Sequence, residues 1–116
     1  MSNVIHAHHA ERIILDEGRA VVTEYFQGSH LPGASLAVVD LDGVQPKRVN
    51  ERSTKMLYVL DGFVGVRMDG DDRMLAPGDA MLIRPGEAHE LRGGPRGSFV
   101  LVCSPAFSGA DEKVVK

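Results

Sequence analysis

Arg48-Val49-Asn50-Glu51-Arg52-Ser53-Thr54-Lys55-Met56-Leu57-Tyr58-Val59-Leu60-Asp61-Gly62 and, beyond a turn at Asp69-Gly70, Pro77-Gly78-Asp79-Ala80-Met81-Leu82-Ile83-Arg84-Pro85-Gly86-Glu87-Ala88-His89 decide the fold of this chain. Lys55 to Leu60 reads as a strong strand that ends at Asp61-Gly62, because its residues suit a pleated, half-buried surface. Phe63 to Met68 follows, and Asp69-Gly70 is a two-residue hairpin signal. Arg73 to Ala76 is short. Pro77-Gly78 breaks it, Ala80 to Ile83 resumes, and Pro85-Gly86 breaks the chain again.

The same reading extends outward. Upstream, Ala20 to Phe26 and Ser35 to Leu41 are strands separated by the turn residues Gly28 to Gly33, and residues 45–50 alternate weakly. Downstream, His89 to Leu91 is short, Gly93-Gly94-Pro95 reads as a loop, and Ser98 to Cys103 is a strand stopped by Pro105. Ile13-Ile14-Leu15 supplies a first short strand. No window carries a helical period long enough for a core helix. Strands at this short, regular spacing predict an all-β sandwich or barrel. The expected organisation is one domain over residues 1–116: an N-terminal arm (1–19), a barrel (20–107) and a C-terminal tail (108–116).

The totals bound the function. At 116 residues the chain is long enough for one two-layer core. A net charge of −3 offers no basic footprint for nucleic acid. No apolar run approaches a membrane span. The opening Met1-Ser2-Asn3-Val4-Ile5-His6 lacks the charged and apolar regions of a secretory signal. Cys103 is the single cysteine, which excludes an internal disulfide and fits a reducing cytoplasm. His6, His8 and His9 form a cluster of a kind that can bind metal, though an arm packed at the surface accounts for it more simply.

The glycine and proline skeleton resembles the two motifs of the cupin family, over roughly residues 35–107. Anchoring the first motif on Gly62 puts Lys55 at the family's glutamate and Arg48 and Asn50 at its two histidines. Gly43 stands one place from the expected glycine. Anchoring the second on Gly78 aligns Gly86, puts His89 at the histidine, Arg84 at the proline and Gly93 at the asparagine. The resemblance implies a jelly-roll β-barrel and a homodimer. Pro105-Ala106-Phe107, Asp111-Glu112 and Asn50-Glu51-Arg52-Ser53 resemble small metal-independent cupin dehydratases of nucleoside-antibiotic pathways, although Val44 stands where their catalytic histidine falls. Leu101-Val102-Cys103 is similar to ectoine synthase, a cupin cyclase. The glutamate, tyrosine and histidine proposed as its iron ligands fall on Lys55, Met81 and His89.

These substitutions change the chemistry. A cupin metal site needs three or four neutral or anionic donors on the inner wall. Here His89 alone remains, while Arg48 and protonated Lys55 offer no lone pair and repel a cation. The expectation is therefore no tightly bound metal and no cofactor. The wall instead suits an anion, with Arg48 as a two-pronged anchor. His89 is the natural acid/base and Lys55 the base or electrostatic partner, so His89 and Lys55 are the catalytic candidates. Arg48, Asn50, Leu57, Met81, Cys103 and Tyr25 are the substrate-binding candidates. Leu57 shares Lys55's parity along its strand, so it lines the same face, and Tyr58 faces outward. Met81 and Cys103 also read as core residues, and Tyr25 borders the opening. The set fits a dehydratase, cyclase or isomerase acting on a small, polar, anionic metabolite. The alternatives are a binding module without chemistry, or a metal-dependent dioxygenase whose further donors come from elsewhere, such as the N-terminal histidines.

Overall fold

The computed structural model describes residues 3–115; Met1, Ser2, Lys116 and the side chain of Pro95 lie outside that description. The opening stretch read for a secretory signal is therefore described only from Asn3 onward. Nine strands follow in order: β1 (Glu11–Leu15), β2 (Ala20–Phe26), β3 (Ser35–Val44), β4 (Arg48–Asn50), β5 (Thr54–Met68), β6 (Asp71–Leu75), β7 (Ala80–Ile83), β8 (Glu90–Ser104) and β9 (Glu112–Val114). The helical pieces among the described residues are two three-residue 3₁₀ turns, Ala7–His9 and Asp16–Gly18. No helix among these residues is long and apolar enough to cross a membrane.

The strands form a closed antiparallel jelly-roll barrel, the all-β architecture expected. The main sheet runs β1-β2-β3-β8-β5-β6, with β7 also on β5. β4 and β9 make a separate two-stranded sheet. β5 is shared along its length: Lys55–Tyr58 pair with β7, Val64–Met68 pair with β6, and the opposite edge pairs with β8.

β5 replaces the two strands expected on either side of Asp61-Gly62. Gly62 has φ +70°, and a Cβ there would overlap the Arg96 carbonyl. Glycine therefore lets the chain bulge without leaving the β8 ladder. The register shifts around Asp61 and Gly62 also change which residues face inward, from Lys55, Leu57 and Val59 to Val64 and Val66. Gly93-Gly94-Pro95, expected as a loop, is likewise absorbed into β8. The Asp69-Gly70 turn has the positive φ at both residues that a two-residue hairpin needs (53° and 80°).

The core gathers Leu41, Leu57, Val59, Val64, Val66 and Phe99, with Ile83 and Leu91 beside them. On the outer surface Met56, Tyr58, Leu60 and Leu82 are substantially exposed, so Tyr58 does face away from the core. The segments expected as arm and tail contain β1, paired with β2, and β9, paired with β4. That pairing is long-range, so no local periodicity announces it.

Candidate active site

One end of the barrel is filled by the core, and the other encloses a cavity of about 530 Å³. Register explains which residues reach it. Across neighbouring strands Ser35 opposes Cys103, and Cys103 opposes Lys55, so these three stand in one row on the inner face. His89 arrives just before β8, and its backbone exchanges hydrogen bonds with Arg48 at 2.8 and 2.9 Å. Arg48, Lys55, His89 and Cys103 thus border one cavity.

A carboxylate not expected at the site lies at its centre. Glu112 of β9 accepts from Lys55 Nζ at 3.0 Å, from Arg48 Nε at 3.3 Å and from Asn50 Nδ2 at 3.3 Å. Arg48 also binds Asp16 through Nη2 at 2.9 Å, and Gln45 Nε2 donates to the same carboxylate at 3.0 Å. The sequence reading gave neither acid a role. Asp16 stands in the supposed arm, at a turn where Asp16 and Glu17 both have positive φ. Glu112 lies in the supposed tail, and its one signal was the Asp111-Glu112 pair already noted in the family comparison. Glu51, nearer to Lys55 in sequence than Glu112, binds Lys113 instead.

Lys55 and His89 are 5% and 2% exposed. Lys55 Nζ stands 3.2 Å from His89 Nε2, while His89 Nδ1 is 3.0 Å from the Glu87 carbonyl. An ammonium has donors only, so Nε2 must be the acceptor and Nδ1 carries the proton donated to Glu87. Burial first, and then the Lys55 charge, hold the His89 imidazole below its ordinary pKa, against the pull of the Glu87 carbonyl and Glu112. The ring is therefore neutral at pH 7. Burial pushes the Cys103 thiol up, against Lys55 and a Ser35 hydrogen bond, so the thiol is no ready nucleophile.

The other expected site residues are placed elsewhere. Asn50 is 3% exposed and stands behind the wall, where it holds Glu112; its Oδ1 has no partner among the described residues. Leu57 faces inward like Lys55 but is part of the packed core. Met81 packs against that core and borders a separate groove with Val66 and Leu75. Glu24 and Phe26 reach the cavity on either side of a bulge, and Tyr25 between them does not line it.

The expectation of a positively charged wall needs correction. Arg48 and Lys55 are both present, but Asp16 and Glu112 neutralise them. An arriving anion would have to displace a carboxylate from each cation.

No protein-family model matches the chain, and no curated protein matches it. Its fold does match solved structures. Streptomyces Pac13 in a uridine-bound form aligns at a TM-score of 0.86 and 21% identity, covering 100% of this chain and 92% of that one. Pac13 is described as a unique nucleoside dehydratase. KdgF from a Halomonas species aligns at 0.81 and 21% identity, covering 95% of this chain and 99% of that one. Ectoine synthase from P. lautus aligns at 0.80 and 16% identity, covering 99% and 91%. These are cupin-fold proteins, and the fold of this chain is theirs.

In a metal-binding cupin a metal ion would be held on this wall. The residues present do not fit one. The Nε2 lone pair of His89 faces an ammonium, and Glu112 is already engaged by two cations. Among the described residues, no group of three or more His, Cys, Asp or Glu is placed to hold an ion, and that includes the exposed His6, His8 and His9.

Proposed function

We propose that this protein is a metal-independent enzyme of lyase or isomerase type that moves a proton on a small polar metabolite. Lys55, His89 and Glu112 are its working groups. The observation that carries this reading is the Lys55 ammonium held at the cavity wall between Glu112 Oε2 (3.0 Å) and His89 Nε2 (3.2 Å).

A substrate oxygen that accepts a Lys55 N–H in place of His89 frees the Nε2 lone pair. Neutral His89 then takes a proton from the carbon next to a carbonyl, and the C–H electron pair moves onto the carbonyl oxygen. Lys55 stabilises that oxyanion in a site where the charge is poorly solvated. Returning the proton to another carbon gives an isomer. If a hydroxyl stands one carbon further on, the imidazolium protonates it as it leaves, giving water and a double bond. Glu112 holds Lys55 in place, and Arg48 and Asn50 hold Glu112 rather than the substrate.

Pac13's description as a nucleoside dehydratase supports this reaction type, and an uncharged substrate such as a nucleoside suits a wall whose cations are already paired. The reading includes a cytoplasmic homodimer, and sedimentation equilibrium tests the pairing.

Catalysis is tested by incubating the protein in D2O with nucleosides and with small hydroxy- and keto-metabolites, and scoring loss of water or deuterium uptake by mass spectrometry. Lys55→Met and His89→Asn should each abolish the conversion. A substrate turned over at full rate by both variants would remove these roles. A stoichiometric transition metal held through His89 in untagged protein, found by elemental analysis, would remove the metal-independent reading.

A further inference from the structure

We propose that Glu24 selects the ligand of this cavity, and that the molecule it admits carries an amine or a comparable strong N–H donor at the end remote from Lys55. The inference rests on the cavity being a small-molecule site and requires no turnover.

It starts from the charges at the wall. Asp16 is taken up by Arg48 and Gln45, and Glu112 by Lys55, Arg48 and Asn50. Glu24 also borders the cavity, yet its side chain has no hydrogen bond or ion pair among the described residues. Its cross-strand neighbour in the β1–β2 ladder is another acid, Glu11, whose carboxylate is engaged by Gln27 Nε2 at 2.9 Å. A half-buried carboxylate beside a like charge, with no donor of its own, is an unfavourable arrangement that a bound cation or N–H group would relieve. Consistent with this, burial first and then Glu11 push the Glu24 carboxyl up from its ordinary pKa. With His89 neutral, the two cations that line the cavity (Arg48 and Lys55) meet two lining carboxylates (Glu24 and Glu112), and Asp16, outside the lining, holds Arg48 as well. An incoming carboxylate finds both cations occupied, whereas an incoming amine finds Glu24 free.

Register fixes the distance this ligand must cover. Glu24 opposes Ala37, Ala37 opposes Leu101, and Leu101 opposes Leu57, two residues along β5 from Lys55. Glu24 therefore lies three strand spacings from β5, about 14 Å along the curved wall and less across the cavity. Phe26, Leu36, Ala37 and Leu101 line the space between. The ligand so described has a donor head at Glu24, an apolar or flat body, and a reacting polar group at Lys55.

Three probes of matched length separate charge from shape: hexylamine, hexanol and hexanoate. Binding is followed by amide chemical shifts in isotope-labelled protein at neutral pH. We expect hexylamine to bind at least about tenfold more tightly than hexanoate, the scale of one half-buried charge contact. Its shifts should centre on Glu24 and Ala37. Glu24→Gln should cut that preference to under about threefold, and Glu11→Gln should leave it in place, because Glu11 lies outside the cavity lining and is held by Gln27. Equal or tighter binding of hexanoate, shifts centred on Lys55, or an amine preference that survives Glu24→Gln would each overturn the proposal. If Glu24→Gln fails to fold, the wild-type probe ranking and shift map decide. Because binding is read without turnover, a failure here is distinct from a failure of the Lys55–His89 chemistry.

Discussion

Replacing Glu112 by Gln removes one charge from a site holding two cations while keeping the shape of the side chain. Arg48 retains Asp16, but Lys55 is left 5% exposed with only a neutral imidazole for company. Removing one partner of a buried ion pair costs about 3–5 kcal/mol, because the other charge stays buried without compensation. For a chain of this size each kcal/mol lowers the melting temperature by about 3–5 °C, so Glu112→Gln should melt about 9–25 °C below wild type. Glu51→Gln is the control. It breaks the Lys113–Glu51 pair, in which both side chains are more than half exposed. Such a pair is worth about 0–1 kcal/mol, so the control should shift by a few degrees at most. Adding Lys55→Met to Glu112→Gln removes the stranded cation and should recover most of the loss, a coupling that a double-mutant cycle reads directly. Scanning calorimetry at pH 7 measures the four corners of that cycle, Lys55→Met alone included, and the Glu51→Gln control. If Glu112→Gln melts within about 3 °C of wild type, or if Lys55→Met adds to the loss, Lys55 does not depend on Glu112 and the account of the site is wrong.

Three further predictions follow from other parts of the fold. His89 is held below the ordinary imidazole value by burial and then by Lys55, so as the pH falls through about 6.5 the unfolded chain takes up a proton there before the native one does, and stability drops. His89→Gln should flatten melting temperature against pH below about 6.5, and NMR should find the wild-type ring still mainly neutral at pH 6.5. Asp111→Ala strips the acceptor from the Arg52 and Ser53 amides, bound at 2.7 and 3.1 Å, and should lower stability in urea by about 1–3 kcal/mol. Gly62→Ala should cost about 2 kcal/mol or more, since it needs a positive φ and meets the Arg96 carbonyl, whereas Gly70→Ala, at φ +80° but in open space, should cost about 1 kcal/mol.

Much of the barrel is legible in the sequence because turn chemistry is local. Asp69-Gly70 and Pro77-Gly78 mark real turns, and the parity of Lys55, Leu57 and Val59 gives the inner face. Parity does not say where the packed core stops and the cavity begins, which is why Leu57 was grouped with Lys55 as a ligand contact. Alternation along β2 puts Val22, Glu24 and Phe26 on the cavity side and leaves Tyr25 off the lining, but which parity faces inward is set by pairing with β3. Glu112 and Asp16 were missed for a different reason. Each meets its partner through closure of distant segments, with Asn50 and Glu112 62 residues apart, and no short-range pattern encodes that meeting. The charge sign of the wall was misjudged as a result, since the cations were visible and their counter-ions were not.

β9 is three residues long and ends at Val114. Lys55 therefore takes its counter-charge from Glu112 on this short strand, far in sequence from the strand that carries the lysine. A stop codon placed before residue 111 would spare every residue of the apolar core yet remove Asp111 and Glu112 together, stranding Lys55 and the Arg52 and Ser53 amides.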